Sequence, residues 1–262
     1  MIATAETIGP ARRAGAGFNA AIISEWTKLV TVRSTIWTAV AMIAGILGLA
    51  VFVGATGSLQ PDDTILGGAL TGAAPGLIAA ASFGALAISG EYGTGLIRTT
   101  FTASPRRVTV LLAKAVVVAA WMFVAALLTC LLAYQIGDLM LSGKGYASGE
   151  PMPALVGVAL SFSVAGVLGL AVGALLRHSA GAITTIFGIT MLPAMLAPLF
   201  GDWETWIAGA SPMIVLQKMA QSSDAAAELA GSLGAWPSLG MVCVYTALAL
   251  ISAAALVKRR DV

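Results

Sequence analysis

Six runs of this chain are apolar for the length of a bilayer crossing, at about residues 35 to 56, 66 to 89, 109 to 136, 154 to 176, 180 to 200 and 236 to 257. A helix needs about 20 such residues to cross a hydrocarbon core, and only helices or closed barrels satisfy their own backbone groups there. The first run has 22 residues. At about 1.5 Å of rise per residue it reaches roughly 33 Å, the thickness to be crossed. It is too long for a signal-peptide core and follows a 34-residue leader, so it reads as a retained span. Composition agrees: 58% of residues are hydrophobic, 10% are charged and the mean hydropathy is +0.93, against about 45–50% apolar and 25% charged in soluble domains. The expected fold is an all-α membrane protein with six transmembrane helices.

Alternating the connections between the two sides places twelve of the fourteen Lys and Arg on one side, leaving only Lys144 and Lys218 opposite. By the positive-inside rule the crowded side is cytoplasmic, and both termini lie there. Aromatic residues mark the same boundaries, with Trp26, Trp37 and Tyr92 at the inner interface and Tyr134, Trp203, Trp206 and Trp236 at the outer one.

Before the first span, "FNAAIISEWTKLVTVRS" sets Phe18, Ile22, Trp26 and Leu29 at helical spacing, with Glu25, Lys28 and Thr31 on a polar side. This suits an amphipathic helix over 18–34 in the cytoplasmic interface, after a tail at 1–17; the alternative is a helical extension of the first span. On the outer side, residues 201–235 form a 35-residue connection, too long to be structureless, and short helices are expected in it. Pro193 and Pro198 should bend the outer half of the fifth span. GxxxG spacings at Gly68, Gly72 and Gly76 and at Gly169 and Gly173 let helix backbones approach closely.

Several chemistries are disfavoured. Lys114 is the one charge inside a span, about a turn and a half in, and snorkelling to the cytosol is its expected role. Without other intramembrane charges a proton-driven carrier is a poor fit. His178, the only histidine, sits in the inner turn "LRHSAG" as an interface residue and is too little for haem or most zinc sites. No GxSxG elbow or GxxxxGK[ST] phosphate loop occurs, so hydrolase chemistry is disfavoured and an ATPase would be a separate chain. Cys130 and Cys243 lie within spans and show no metal-type spacing.

One connection stands apart, "ISGEYGTGLIRTTFTASPRR" at 88–107. Gly90, Gly93 and Gly95 permit a turn out of the membrane. Glu91 and Arg98 fall on one helical face, and Ser104 and Pro105 suit the start of the third span. Together with the leader "SEWTKLVTVRSTIW" and the ending "LVKRRDV", this stretch resembles bacterial ABC-2 family permeases of the actinobacterial type, the membrane subunits of ATP-binding cassette exporters. The resemblance covers nearly the whole chain.

The resemblance implies a connecting helix carrying Glu25, Trp26, Lys28 and Arg33. It implies a cytosolic coupling helix at about 91–100 between the second and third spans, with Glu91, Tyr92, Gly93, Thr94, Gly95 and Arg98 meeting the ATPase. Gly93 stands where many relatives carry a basic or larger polar residue. Residues 201–235 match an outer re-entrant segment, giving an outer gate at Pro193, Pro198, Trp203 and Trp206, and 258–262 form a basic tail. The implied function is a permease subunit exporting an amphipathic or apolar cargo across the bacterial plasma membrane, with no catalytic residue, metal or cofactor of its own. ATP and Mg2+ belong to a partner ATP-binding cassette ATPase. A second permease copy, identical or paralogous, and membrane lipid are the other partners, with no nucleic acid. The competing readings are a non-transporting scaffold or immunity component, and a secondary carrier. Glu91 is further expected to meet Lys28 or Arg33 of the leader.

Overall fold

A computed structural model describes residues 17–59, 62–97, 99, 106–222 and 233–259. Among them the ordered elements are all helical, and six helices are long and apolar enough to cross a membrane. Helix α1 is Phe18–Thr31 and α2, the first span, is Arg33–Thr56. A short α3, Ile65–Ala69, precedes α4, Ala73–Thr94. Then come α5, Arg107–Leu141, α6, Pro151–Leu176, and α7, Ser179–Leu196. A 3-10 helix at Ala197–Trp203 and short helices α8, Glu204–Gly209, and α9, Pro212–Ala220, lead to α10, Ala235–Arg259.

The leader is a helix of its own. Val32 alone is extended between α1 and α2 (φ −78°, ψ 122°), and the buried Thr35 hydroxyl donates to the carbonyls of Leu29 at 2.9 Å and Val32 at 2.7 Å. That bracket holds the corner and excludes a continuous helix. Its buried face, however, differs from the expected one. Glu25 is 1% exposed whereas Trp26 is 47% and Phe18 43% exposed, so a carboxylate points into the bundle and two aromatics point out. The physical reason lies in α5 and is given below.

Helix α6 is the axis of the bundle: 78% of its most apolar stretch is buried, against 17% for the span beginning at Ser179, so α6 is enclosed by protein and α7 faces outward. The α4–α6 crossing is made possible by missing side chains. A Cβ on Gly169 would overlap the Ala81 carbonyl oxygen, one on Gly84 would overlap the Gly166 carbonyl oxygen, and one on Gly173 would sit 2.8 Å from the Ala85 carbonyl oxygen. Gly72 plays the same part against the Ile46 backbone of α2, whereas Gly68 and Gly76 meet side chains only. Phe83 and Trp121 stack at 5.3 Å between α4 and α5.

The second span begins later than its hydropathy suggests. Thr64 caps α3 by accepting from the Gly67 amide at 3.0 Å, and the chain then turns at Leu70–Gly72 before α4 starts at Ala73. At the fifth span the α-helix passes Pro193 and gives way after Leu196 to the 3-10 turn containing Pro198. Two short helices do occupy the following connection. The Gly-rich loop before α6 closes over this end: the Tyr146 hydroxyl reaches the Gly57 carbonyl at 3.3 Å, and Glu150 and Gln221 exchange two hydrogen bonds of 3.1 and 3.2 Å.

Candidate functional site: a closed ring of four charges

At the other end of the bundle, α1, α4 and α5 converge. One helical turn on α1 supplies Glu25 and Lys28, the last turn of α4 supplies Glu91, and the second turn of α5 supplies Lys114. The Lys28 Nζ lies 2.8 Å from Glu25 Oε1 and 3.1 Å from Glu91 Oε1. Lys114 Nζ lies 2.9 Å from Glu91 Oε1 and is also in contact with Glu25 Oε2. Each ammonium touches both carboxylates, so the four side chains close a ring of alternating, balanced charge.

Balance is what permits this burial. Lys114 is 1% exposed, Glu25 1% and Glu91 7%, and a lone ion at such depth carries a desolvation penalty of several kcal/mol that only close counter-ions offset. Glu25 therefore turns inward because Lys114 is there. The expectation that Lys114 snorkels to the cytosol is corrected: α1 lies across its exit, and two carboxylates meet it inside. The signal was present in the sequence as one lysine within a span and two acids near the same membrane boundary, but hydropathy does not say which helix covers which.

Lys28 is the ring's solvent-facing member. Burial by itself would lower its pKa, yet the hydrogen bond to Glu25 and the negative charges of Glu91 and Glu25 prevail, and the pKa is raised from its ordinary 10.5. A lysine whose folded pKa lies above its unfolded value stabilises the fold fully below the unfolded value and loses that contribution as pH rises through the folded one. The part of the ring's hold on α1 that Lys28 supplies is thus complete at neutral pH and is lost in strong alkali.

Beside the ring, Tyr92 packs under Arg177, whose guanidinium carbon is 5.0 Å from the ring centroid. Arg177 takes the left-handed conformation (φ 54°) that ends α6, and the His178 Nδ1 accepts from the Gly181 amide at 3.1 Å to start α7. His178 is an exposed helix cap, and the α6–α7 turn is linked to the end of α4 through Arg177 and Tyr92.

Of the residues anticipated for coupling, Glu91, Tyr92, Gly93 and Thr94 form the final turn of α4 itself, and the helix ends at Gly95 (φ 74°). The bend is therefore placed at Gly95, a turn later than 90. Leu96, Ile97 and Thr99 are helical again, while Arg98 lies outside the described residues. Of the two candidate partners for Glu91, the ring contains Lys28; Arg33 is exposed at the start of α2. Pro193, Pro198, Trp203 and Trp206 gather at the opposite end, with Trp203 69% and Trp206 53% exposed. Among the described residues no three His, Cys, Asp or Glu side chains group as metal ligands.

The arrangement contains no nucleophile poised beside a base. It ties three helices together at one membrane boundary. No protein-family model matches the chain, and no curated protein matches it. The fold defines a multi-pass helical membrane protein.

Proposed function

We propose that this chain is the permease subunit of an ATP-driven exporter of the ABC-2 type, working with a second permease copy and a separate ATPase that binds ATP and Mg2+. In this reading the protein sits in a bacterial plasma membrane with both termini in the cytoplasm, and the knuckle around 91–107 faces the ATPase. The observation that carries the reading is the charge ring. A push on the segment beyond Gly95 acts on the last turn of α4, and Glu91 there is bonded to both α1 and α5, so one displacement moves three helices together. A link of this kind serves a subunit that receives force; an anchoring protein has no need of it. The charges that α4 and α5 bring together near this end, Glu91 and Lys114, are neutralised in the ring, which leaves the membrane interior suited to an amphipathic or apolar cargo such as an antibiotic, peptide or lipid.

The test begins with copurification of an ATPase whose hydrolysis responds to this chain. In that complex Glu91→Lys should lower ATP-dependent transport, and adding Lys28→Glu should restore part of it, because Lys114 still opposes the introduced lysine. Unimpaired transport by the single variant rejects the reading. Copurification without any change in ATP hydrolysis favours a scaffold, and transport that follows an ion gradient and ignores ATP favours a secondary carrier.

A further inference from the structure

A cavity of about 130 Å3 opens directly against the ring, between α1, the start of α2 and the end of α4. Its walls are mostly apolar, with Leu29, Leu86, Ala87, Gly90 and Leu96 among them, and Lys28, Glu91 and Lys114 stand at its charged side. A Cβ built on Gly90 meets nothing within 4 Å, so the space beside this residue is open.

The polar groups around the cavity are nearly all in use. The Thr35 hydroxyl donates to Leu29 and Val32, and the Thr94 hydroxyl donates to the Gly90 carbonyl at 2.9 Å. Both ammoniums face carboxylates. Glu25 sets Oε1 against Lys28 and Oε2 against the Lys114 ammonium, with no hydrogen bond formed at Oε2, but it does not line the cavity; Glu91 does, and it receives Lys28 and Lys114 on Oε1 alone. Its Oε2 is buried and has no hydrogen-bond partner among the described residues. A buried carboxylate oxygen without a donor is costly and marks a place for one.

We propose that this cavity binds a small uncharged amphiphile bearing one hydroxyl, which donates to Glu91 Oε2 while the apolar body fills the space beside Gly90. Charge selects the class. Two carboxylates and two ammoniums already balance, so an added cation or anion would be buried without a counter-ion, whereas a hydroxyl supplies the missing donor and no net charge. Size sets the body at about a benzene ring, since an apolar cavity of about 150 Å3 accommodates benzene. The inference concerns the chain alone and does not depend on an ATPase.

The probe is benzyl alcohol, titrated against the full chain in lipid nanodiscs and read by a 19F label at Leu96→Cys in a Cys130→Ala, Cys243→Ala background. A second label at Val244→Cys, on the outward face of α10 at 62% exposure, reports partitioning into the bilayer. The label at 96 should shift saturably while the one at 244 drifts without saturating. Toluene, which lacks the hydroxyl, should bind about tenfold more weakly, and benzylammonium and benzoate more weakly than benzyl alcohol. Gly90→Val should abolish saturation by filling the cavity, and Ala87→Leu gives the same readout should the first variant fold poorly. Absence of saturation means that water alone occupies the cavity and overturns the proposal. So do equal affinities for toluene and benzyl alcohol, tighter binding of either ion, or undiminished binding in the filled variants.

Discussion

Replacing Lys114 with methionine keeps the bulk of the side chain but leaves Glu25 and Glu91 sharing Lys28. One buried carboxylate is then in surplus, and breaking a buried pair in this way costs about 3–5 kcal/mol. Adding Glu25→Gln removes the surplus, and most of the loss should return. Equilibrium unfolding in detergent micelles checks both variants, and non-additivity between them measures the pairing. Equal stability of Lys114→Met and the parent would show that the ring does not form. At this scale the sequence told half the story. Glu91 was legible because a carboxylate beside three glycines is unusual at the end of an apolar run. The apolar spacing of Phe18, Ile22 and Trp26 places Glu25 on a wet face, because that spacing is blind to a lysine held on another helix.

The crossing of α4 and α6 rests on backbone lying against backbone, which is why single methyl groups have opposite effects at different glycines. Gly169→Ala sets a Cβ on the Ala81 carbonyl, and the helices must separate; the expected loss is about 1–3 kcal/mol. Gly48→Ala adds a methyl group where nothing lies within 4 Å, and stability should hold or rise with the better helix former. The pair of unfolding curves decides the matter, and a harmless Gly169→Ala would contradict the crossing. Spans were legible to within a few residues wherever a charge or a polar cluster ended them, as at Arg33 and Arg107. The start of α4 was not, since the turn at Leu70–Gly72 interrupts an unbroken run of Gly, Ala, Leu and Thr whose hydropathy hardly changes. GxxxG spacing identified Gly169 and Gly173, but Gly84, their counterpart on α4, belongs to no such repeat.

Across the whole molecule, the charge asymmetry makes an assertion about sidedness that labelling can check. With both native cysteines replaced by alanine, a membrane-impermeant maleimide should modify Ser148→Cys in intact cells and Thr99→Cys only after permeabilisation. Labelling of Thr99→Cys from outside would reverse the topology and remove the ATPase from its proposed dock. The number of crossings was readable because the bilayer imposes one length on every span. Packing order was not: all six runs are comparably apolar, and nothing in hydropathy distinguishes the enclosed α6 from the outward-facing α7. That distinction arises from where small residues on one helix find small residues on another.

Glu25 is synthesised well before Lys114, and this order has a consequence for how the protein enters the membrane. When α5 first partitions into lipid it brings an ammonium that a hydrophobic helix would ordinarily resist inserting. Helix α1 and the tail of α4 have already emerged by then, carrying the two carboxylates that neutralise it. Deleting α1 should therefore show itself first in newborn chains whose third helix fails to integrate.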